Sequence, residues 1–121
     1  MRRLLVLPFC LVTLCHLAWT ATAAAPAPAR LLVGAKEFRL TLSRASIKAG
    51  PAIIQLANYG EDDHDLRLQR IGGTRVYVID TVSPGDVGEL DAKLLAGKYK
   101  LWCGLAGHAA LGMRASLIVK N

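Results

Sequence analysis

The chain has 121 residues, 15 Lys and Arg against 9 Asp and Glu, and a formal charge of +6. This length excludes a multidomain enzyme and leaves one small domain with or without a targeting segment. The cations are spread along the chain rather than gathered in a stripe, so no nucleic acid is expected as a partner, and the 53% hydrophobic content is inflated by the apolar N-terminus.

Residues 1–25 read as a secretory signal peptide. Arg2 and Arg3 form a positive n-region and Leu4 to Trp19 an apolar h-region. Ala21-Thr22-Ala23 or Ala23-Ala24-Ala25 offers a small-residue cleavage site, so the cut falls near residues 23–25. Pro8 and His16 interrupt the stretch, which falls short of the roughly 20 apolar residues of a spanning helix. The expectation is an exported chain with no stable membrane insertion once the leader is cut. Cys10 and Cys15 leave with the leader, and Cys103 is then the single cysteine. A lone thiol in an oxidising compartment, where cysteines ordinarily pair, needs an explanation.

Residues 26–35 look like an extended lead-in, because Pro26 and Pro28 oppose helix and polar patterning is weak. The domain proper is expected over 36–121. Phe38, Leu40 and Leu42 alternate with polar residues, and Ala52 to Asn58 is rich in Ile and Leu. Leu66 and Leu68 alternate with Arg67 and Gln69, and Gly72-Gly73 divides that strand from Val76 to Ile79. Ser83-Pro84-Gly85-Asp86 predicts a turn, Val87 to Leu90 a short strand, and Asp91 to Leu95 one helical turn. Lys98 to Cys103 and Met113 to Lys120 alternate again. The pattern predicts an all-β chain of about seven or eight short strands with the turn spacing of a β-sandwich.

Side chains alternate between sheet faces, so residues of equal parity on one strand share a face. His64 shares parity with Leu66 and Leu68, Cys103 with Tyr99 and Leu101, and Met113 with Leu117 and Val119. All three therefore point to the apolar side at strand ends. His108 lies in the Gly-rich loop from Gly104 to Gly112, so that Cys103, His108 and Met113 share one hairpin. These are the soft or borderline metal donors left after the leader. Thiolate and thioether select against magnesium and calcium, and two His, one Cys and a weak axial Met make the arrangement of a blue-copper site. Zinc is the competitor, but Met is a poor zinc ligand and zinc would use only three of the four groups.

Three segments carry a resemblance to a known family: Gly97-Lys98-Tyr99-Lys100-Leu101-Trp102-Cys103, Gly107-His108-Ala109-Ala110-Leu111-Gly112-Met113, and Leu56-Ala57-Asn58-Tyr59-Gly60 leading to His64-Asp65-Leu66. Over residues 36–121 the chain resembles the cupredoxins, small type 1 copper proteins such as plastocyanin and azurin. The resemblance implies a Greek-key β-sandwich with one copper ion at one end. His64 would be the upstream imidazole ligand, Cys103 the thiolate, His108 the second imidazole and Met113 the axial thioether. Many members carry Asn after the first ligand His, where it ties the ligand loops together; here Asp65 stands in that position. A carboxylate there can accept backbone N–H groups and, ionised near copper, favours Cu(II).

Glu61-Asp62-Asp63 reads as a solvated turn in preference to a docking patch for a basic partner. Lys93, Lys98, Lys100, Arg67 and Arg75 either steer an acidic redox partner or form an ordinary charged face. Trp102, of outward parity beside Cys103, is either part of an electron route or loop packing. Leu105, Ala106, Ala109, Ala110 and Leu111 put small apolar side chains around His108, where a transient redox partner would dock. The function expected is a monomeric, exported, periplasmic carrier of single electrons, not an enzyme. Cys103 as a nucleophile would need a His base in an open cleft, and both His are already assigned. The alternative is a copper-delivery protein using the same ligands.

Overall fold

The structure, a computed structural model, describes residues 18–121. Most of the expected leader lies outside the described residues, and no described helix is long and apolar enough to cross a membrane. The described residues form nine strands and no α-helix: β1 Ala29–Lys36, β2 Arg39–Leu42, β3 Ser46–Lys48, β4 Gly50–Asn58, β5 His64–Arg70, β6 Val76–Val82, β7 Val87–Leu94, β8 Gly97–Trp102 and β9 Arg114–Lys120. They make a four-stranded sheet in the order β2-β1-β4-β7 and a five-stranded sheet in the order β3-β9-β8-β5-β6. The chain crosses between the sheets at the β2–β3, β3–β4, β4–β5, β6–β7 and β7–β8 connections, giving a Greek-key sandwich.

The inner faces follow the period of two. Leu31, Val33 and Ala35 of β1, Ile54 and Leu56 of β4, Leu66 and Leu68 of β5, and Leu117 and Val119 of β9 are all buried in one core. Burying such side chains contributes about 1.5–3 kcal/mol each. That makes this shared interior the main source of stability and the wall behind the donor cluster. Tyr99 closes one side of the core and donates its hydroxyl to Leu95 O at 3.0 Å.

Three expectations need correction. The segment 26–35 is not only a lead-in: from Ala29 it is β1, paired in parallel with β4 and antiparallel with β2, so the sandwich begins before residue 36. Leu31, Val33 and Ala35 supply the alternation there, while Pro26 and Pro28 stop just short of the ladder. Asp91–Leu94 is not helical but continues β7, because Asp91 and Lys93 pair with Ile53 and Pro51 of β4 and Leu94 is buried. The count rises to nine because Ser46–Lys48 forms β3 by pairing in parallel with β9. The turn at 83–86 forms as expected: Asp86 N–H donates to Ser83 O at 3.0 Å, and Gly85 takes φ +84°, a conformation only glycine adopts freely.

Candidate metal centre

Two connections, β4–β5 and β8–β9, meet at one end of the sandwich. His64 opens β5, Cys103 directly follows β8, and Met113 directly precedes β9. Each sits where a strand's inward parity runs out into a loop, so each enters the core from its rim. His64, Cys103 and Met113 are fully buried, while His108 is half-buried on the loop between β8 and β9. That loop is closed by its own backbone. Cys103 N–H donates to Met113 O at 3.1 Å and Met113 N–H to His108 O at 3.1 Å. His108 N–H in turn donates to Leu105 O at 3.2 Å. The hairpin thereby fixes the spacing of Cys103, His108 and Met113.

The donor atoms converge. His64 Nδ1 lies 3.3 Å from His108 Nδ1, and Cys103 Sγ lies 3.6 Å from His108 Nδ1. One donor atom from each of these three residues lies within 4.8 Å of the others. A first-row ion with imidazole nitrogens at about 2.0–2.1 Å and a thiolate at about 2.3 Å, near tetrahedral angles, would hold N and N about 3.3 Å apart and N and S about 3.6 Å apart. The spacings therefore fit a single ion, and a thiolate with two imidazoles beside a buried thioether residue is the donor set suited to copper. Burial pushes the Cys103 thiol above its ordinary value; a bound cation would offset this by stabilising the thiolate.

The tie expected of the residue after His64 is made by Asp65. It is buried, accepts the Gly104 N–H on Oδ1, and faces Arg67 Nε with Oδ2 at 3.2 Å. The loop carrying Cys103 is thus bonded to the strand carrying His64 by a carboxylate instead of an amide. Asn58, also buried, adds a second brace by donating from Nδ2 to Asp62 O and Val82 O, both at 2.8 Å.

Two residues near the donors carried no signal in the sequence. Glu37, between β1 and β2, places Oε1 2.9 Å from His64 Nε2 and also accepts N–H groups from Glu61 at 3.0 Å and Asp62 at 2.9 Å. These bonds, the Asp62 N–H foremost, hold its carboxyl down at about 2. Phe38 packs edge-on against the His108 ring, with centroids 5.1 Å apart. Spacing could not have revealed either, since both come from a different hairpin.

The acidic run Glu61-Asp62-Asp63 is exposed and forms the turn that supplies Glu37 with N–H donors. The five cations singled out in the sequence do not form one patch. Arg67, Trp102 and Arg114 stand opposite one another across β5, β8 and β9, as do Gln69, Lys100 and Ser116. Together with Lys98 they occupy the outer face of the five-stranded sheet, where Lys100 Nζ lies 5.2 Å from the centroid of Trp102. Arg75 and Lys93 instead line a separate cleft with Tyr77 and Asp91.

The sulfocyanin (SoxE) domain family matches residues 51–121, more than half of the chain and all of β5, β8, β9 and the donor loops. The chain belongs to this family, within the cupredoxins. No curated protein is significantly similar to it in sequence. Among solved structures, the sulfocyanin domain superposes on dithionite-reduced auracyanin from the photosynthetic bacterium Roseiflexus castenholzii with a TM-score of 0.63 at 13% identity, covering 79% of this chain and 100% of that one. Auracyanin A, described as a "blue" copper protein of the green thermophilic photosynthetic bacterium Chloroflexus aurantiacus, gives 0.63 at 17% identity, covering 78% and 100%. An azurin of the obligate methylotroph Methylomonas sp. strain J gives 0.61 at 16%, also covering 78% and 100%. At these identities the likeness is one of fold.

Proposed function

We propose that this sulfocyanin domain is an exported carrier of single electrons, built around one copper ion held by His64, Cys103, His108 and Met113. The observation that carries the reading is the convergence of two imidazole nitrogens and one thiol sulfur at 3.3 and 3.6 Å, beside a buried methionine and walled off by an apolar core. When bound, copper supplies a one-electron Cu(I)/Cu(II) couple. The residues supply the rest. His64 and Cys103 enter from strand ends that the core holds rigidly, so the donors keep their places when the charge changes. Burial excludes water and with it the exchangeable ligands that hydrolytic or oxygen chemistry would need.

His108 is the route for electrons in and out. It is half-buried, and Ala106, Ala110 and Leu111 beside it are exposed, Leu111 to 62%. A small apolar rim of this kind suits a partner that binds briefly and leaves. The cationic outer face of the five-stranded sheet favours a partner bearing carboxylates, whose approach it would accelerate. The apolar leader expected over residues 1–25 supports export, with the periplasm as the compartment, and the carrier acts as a monomer.

Visible absorption and electron paramagnetic resonance of the protein with one equivalent of Cu(II), before and after ascorbate, test the reading. An intense blue band with narrow hyperfine splitting, reversibly bleached, is expected, and Cys103→Ser abolishes it with the fold intact. A band that survives Cys103→Ser overturns the site. A weak band with wide splitting assigns the ligands to ordinary tetragonal copper and the protein to copper delivery.

A further inference from the structure

Glu37 is built into the centre too closely to be a bystander. His64 has no exposed surface, so both of its ring nitrogens must find partners inside the protein. Nδ1 faces His108 Nδ1, and Nε2 faces Glu37 Oε1 at 2.9 Å. A carboxylate only accepts hydrogen bonds. It therefore requires the proton of His64 on Nε2 and leaves the lone pair of Nδ1 directed at the donor cluster. In the 3.3 Å contact between the two imidazoles, His108 then supplies the N–H.

The carboxylate is itself held in place. The backbone N–H groups of Glu61 and Asp62 converge on the same oxygen, and these residues lie in the loop that leads into β5. Gly60 leaves the space that the carboxylate fills: a Cβ there would lie 2.6 Å from Oε2 and 2.7 Å from Cδ. Glu37 is thus a fixed anion spanning from the β1–β2 connection to the ring of His64.

We infer that Glu37 is a positioning residue for the metal centre: it fixes the tautomer and ring orientation of His64 and, through that ring, biases the site toward the more highly charged state of the metal. A carboxylate bonded to the far nitrogen of a metal-bound imidazole raises its basicity, and losing such a partner typically weakens metal affinity 10–100-fold. The first half of the inference concerns the metal-free protein; the second rests on the copper reading above.

Two variants separate the effects. Glu37→Gln keeps the shape and removes the charge, whereas Gly60→Ala keeps the charge and forces the carboxylate away from His64. In the metal-free wild-type protein, nitrogen-15 NMR of the imidazoles is expected to show His64 as the Nε2–H tautomer alone. Both variants are expected to give a mixture with Nδ1–H. In the copper-loaded protein, a 10–100-fold loss of Cu(II) affinity relative to Cu(I) raises the reduction potential by about 60–120 mV, at 59 mV per tenfold for one electron.

A purely structural Glu37 would lower the melting temperature and leave both tautomer and potential unmoved. That result in Glu37→Gln, with Gly60→Ala also unchanged, overturns the inference. If the tautomer shifts in both variants while the wild-type protein forms no blue site, the positioning role stands and the copper reading falls. A normal blue site with the tautomer unchanged in both variants does the reverse.

Discussion

Asp65 offers the most direct measurement of what holds the ligand loops together. Its Oδ1 takes the N–H of Gly104, the residue after Cys103, and its Oδ2 faces Arg67 at 3.2 Å. A hydrogen bond to a charged acceptor contributes about 1.5–3 kcal/mol. The Arg67 side chain is 43% exposed, so solvent and salt screen that pair to about 1 kcal/mol or less. Gly104 is itself exposed, and water can take over its N–H when the carboxylate is lost, which keeps the first contribution near its lower bound. Asp65→Ala is therefore expected to cost about 2 kcal/mol, most of it from the Gly104 bond. Asp65→Asn retains an oxygen for Gly104 and should cost about 1 kcal/mol, and Arg67→Ala less than that. Urea unfolding of the metal-free protein at neutral pH, compared across the three variants, gives the values. If Arg67→Ala costs as much as Asp65→Ala, the stability resides in the exposed ion pair and the loop tie is refuted. If Asp65→Asn costs as much as Asp65→Ala, the charge matters rather than the accepting oxygen.

Tyr99→Phe removes the bond to Leu95 O and is expected to cost about 1 kcal/mol at neutral pH. Burial raises Tyr99 above its ordinary 10.0, so the fold keeps its phenol proton to a higher pH than the unfolded chain does. That contribution is complete below about pH 10 and is lost as pH rises through the folded value, so wild-type stability should fall more steeply than that of Tyr99→Phe in alkaline urea titrations. Copper at a thousandfold excess over its dissociation constant should add about 4 kcal/mol to unfolding stability. Cys103→Ser should forfeit most of that gain while leaving the metal-free stability within about 1 kcal/mol of wild type, as calorimetry with and without metal would show. Reversing Lys98 and Lys100 to Glu should slow oxidation by hexacyanoferrate(III) in stopped flow and flatten its dependence on salt, whereas Lys93→Glu, in the separate cleft, should have the smaller effect.

The donor residues were legible because two simple signals coincide at them. Period-two alternation put His64, Cys103 and Met113 on the inward side, and subtraction of the leader left a short inventory of soft donors. The parts that were not legible share a cause: their partners are distant in the chain. β1 has Gly34 at an outward position, covered by the ring of Tyr59, so its sequence lacks the polar alternation of a half-exposed strand. Asp91-Ala92-Lys93-Leu94 has respectable helix propensity, but pairing with β4 over the whole length of β7 overrides it. β3 is three residues long and is defined only by its ladder with β9. Glu37 lies 27 residues before His64, on another hairpin, and no spacing rule reaches across that gap.

The two imidazoles are held in opposite ways, and the difference bears on how a carrier would work. His64 is held by the strand it opens and by the Glu37 carboxylate, and the residues beside it are braced in turn, Val82 by Asn58 and Asp65 by Gly104. Moving it would break several bonds at once. Among the described residues His108 has no such outer partner on its ring; its place comes from the closed backbone of its loop and from the edge of Phe38. On the carrier reading, a centre gripped at its inner end would resist reorganisation when the metal's charge changes, while the half-buried outer ring would give a partner close approach without entering the core. The charges would serve the same end. Cations lie along the flank of the five-stranded sheet and small apolar residues surround His108, so long-range attraction would guide the encounter while the contact itself stays nearly neutral and readily reversed. On the carrier reading, fast arrival and fast release thus come from different parts of the surface, and each can be altered without disturbing the donors.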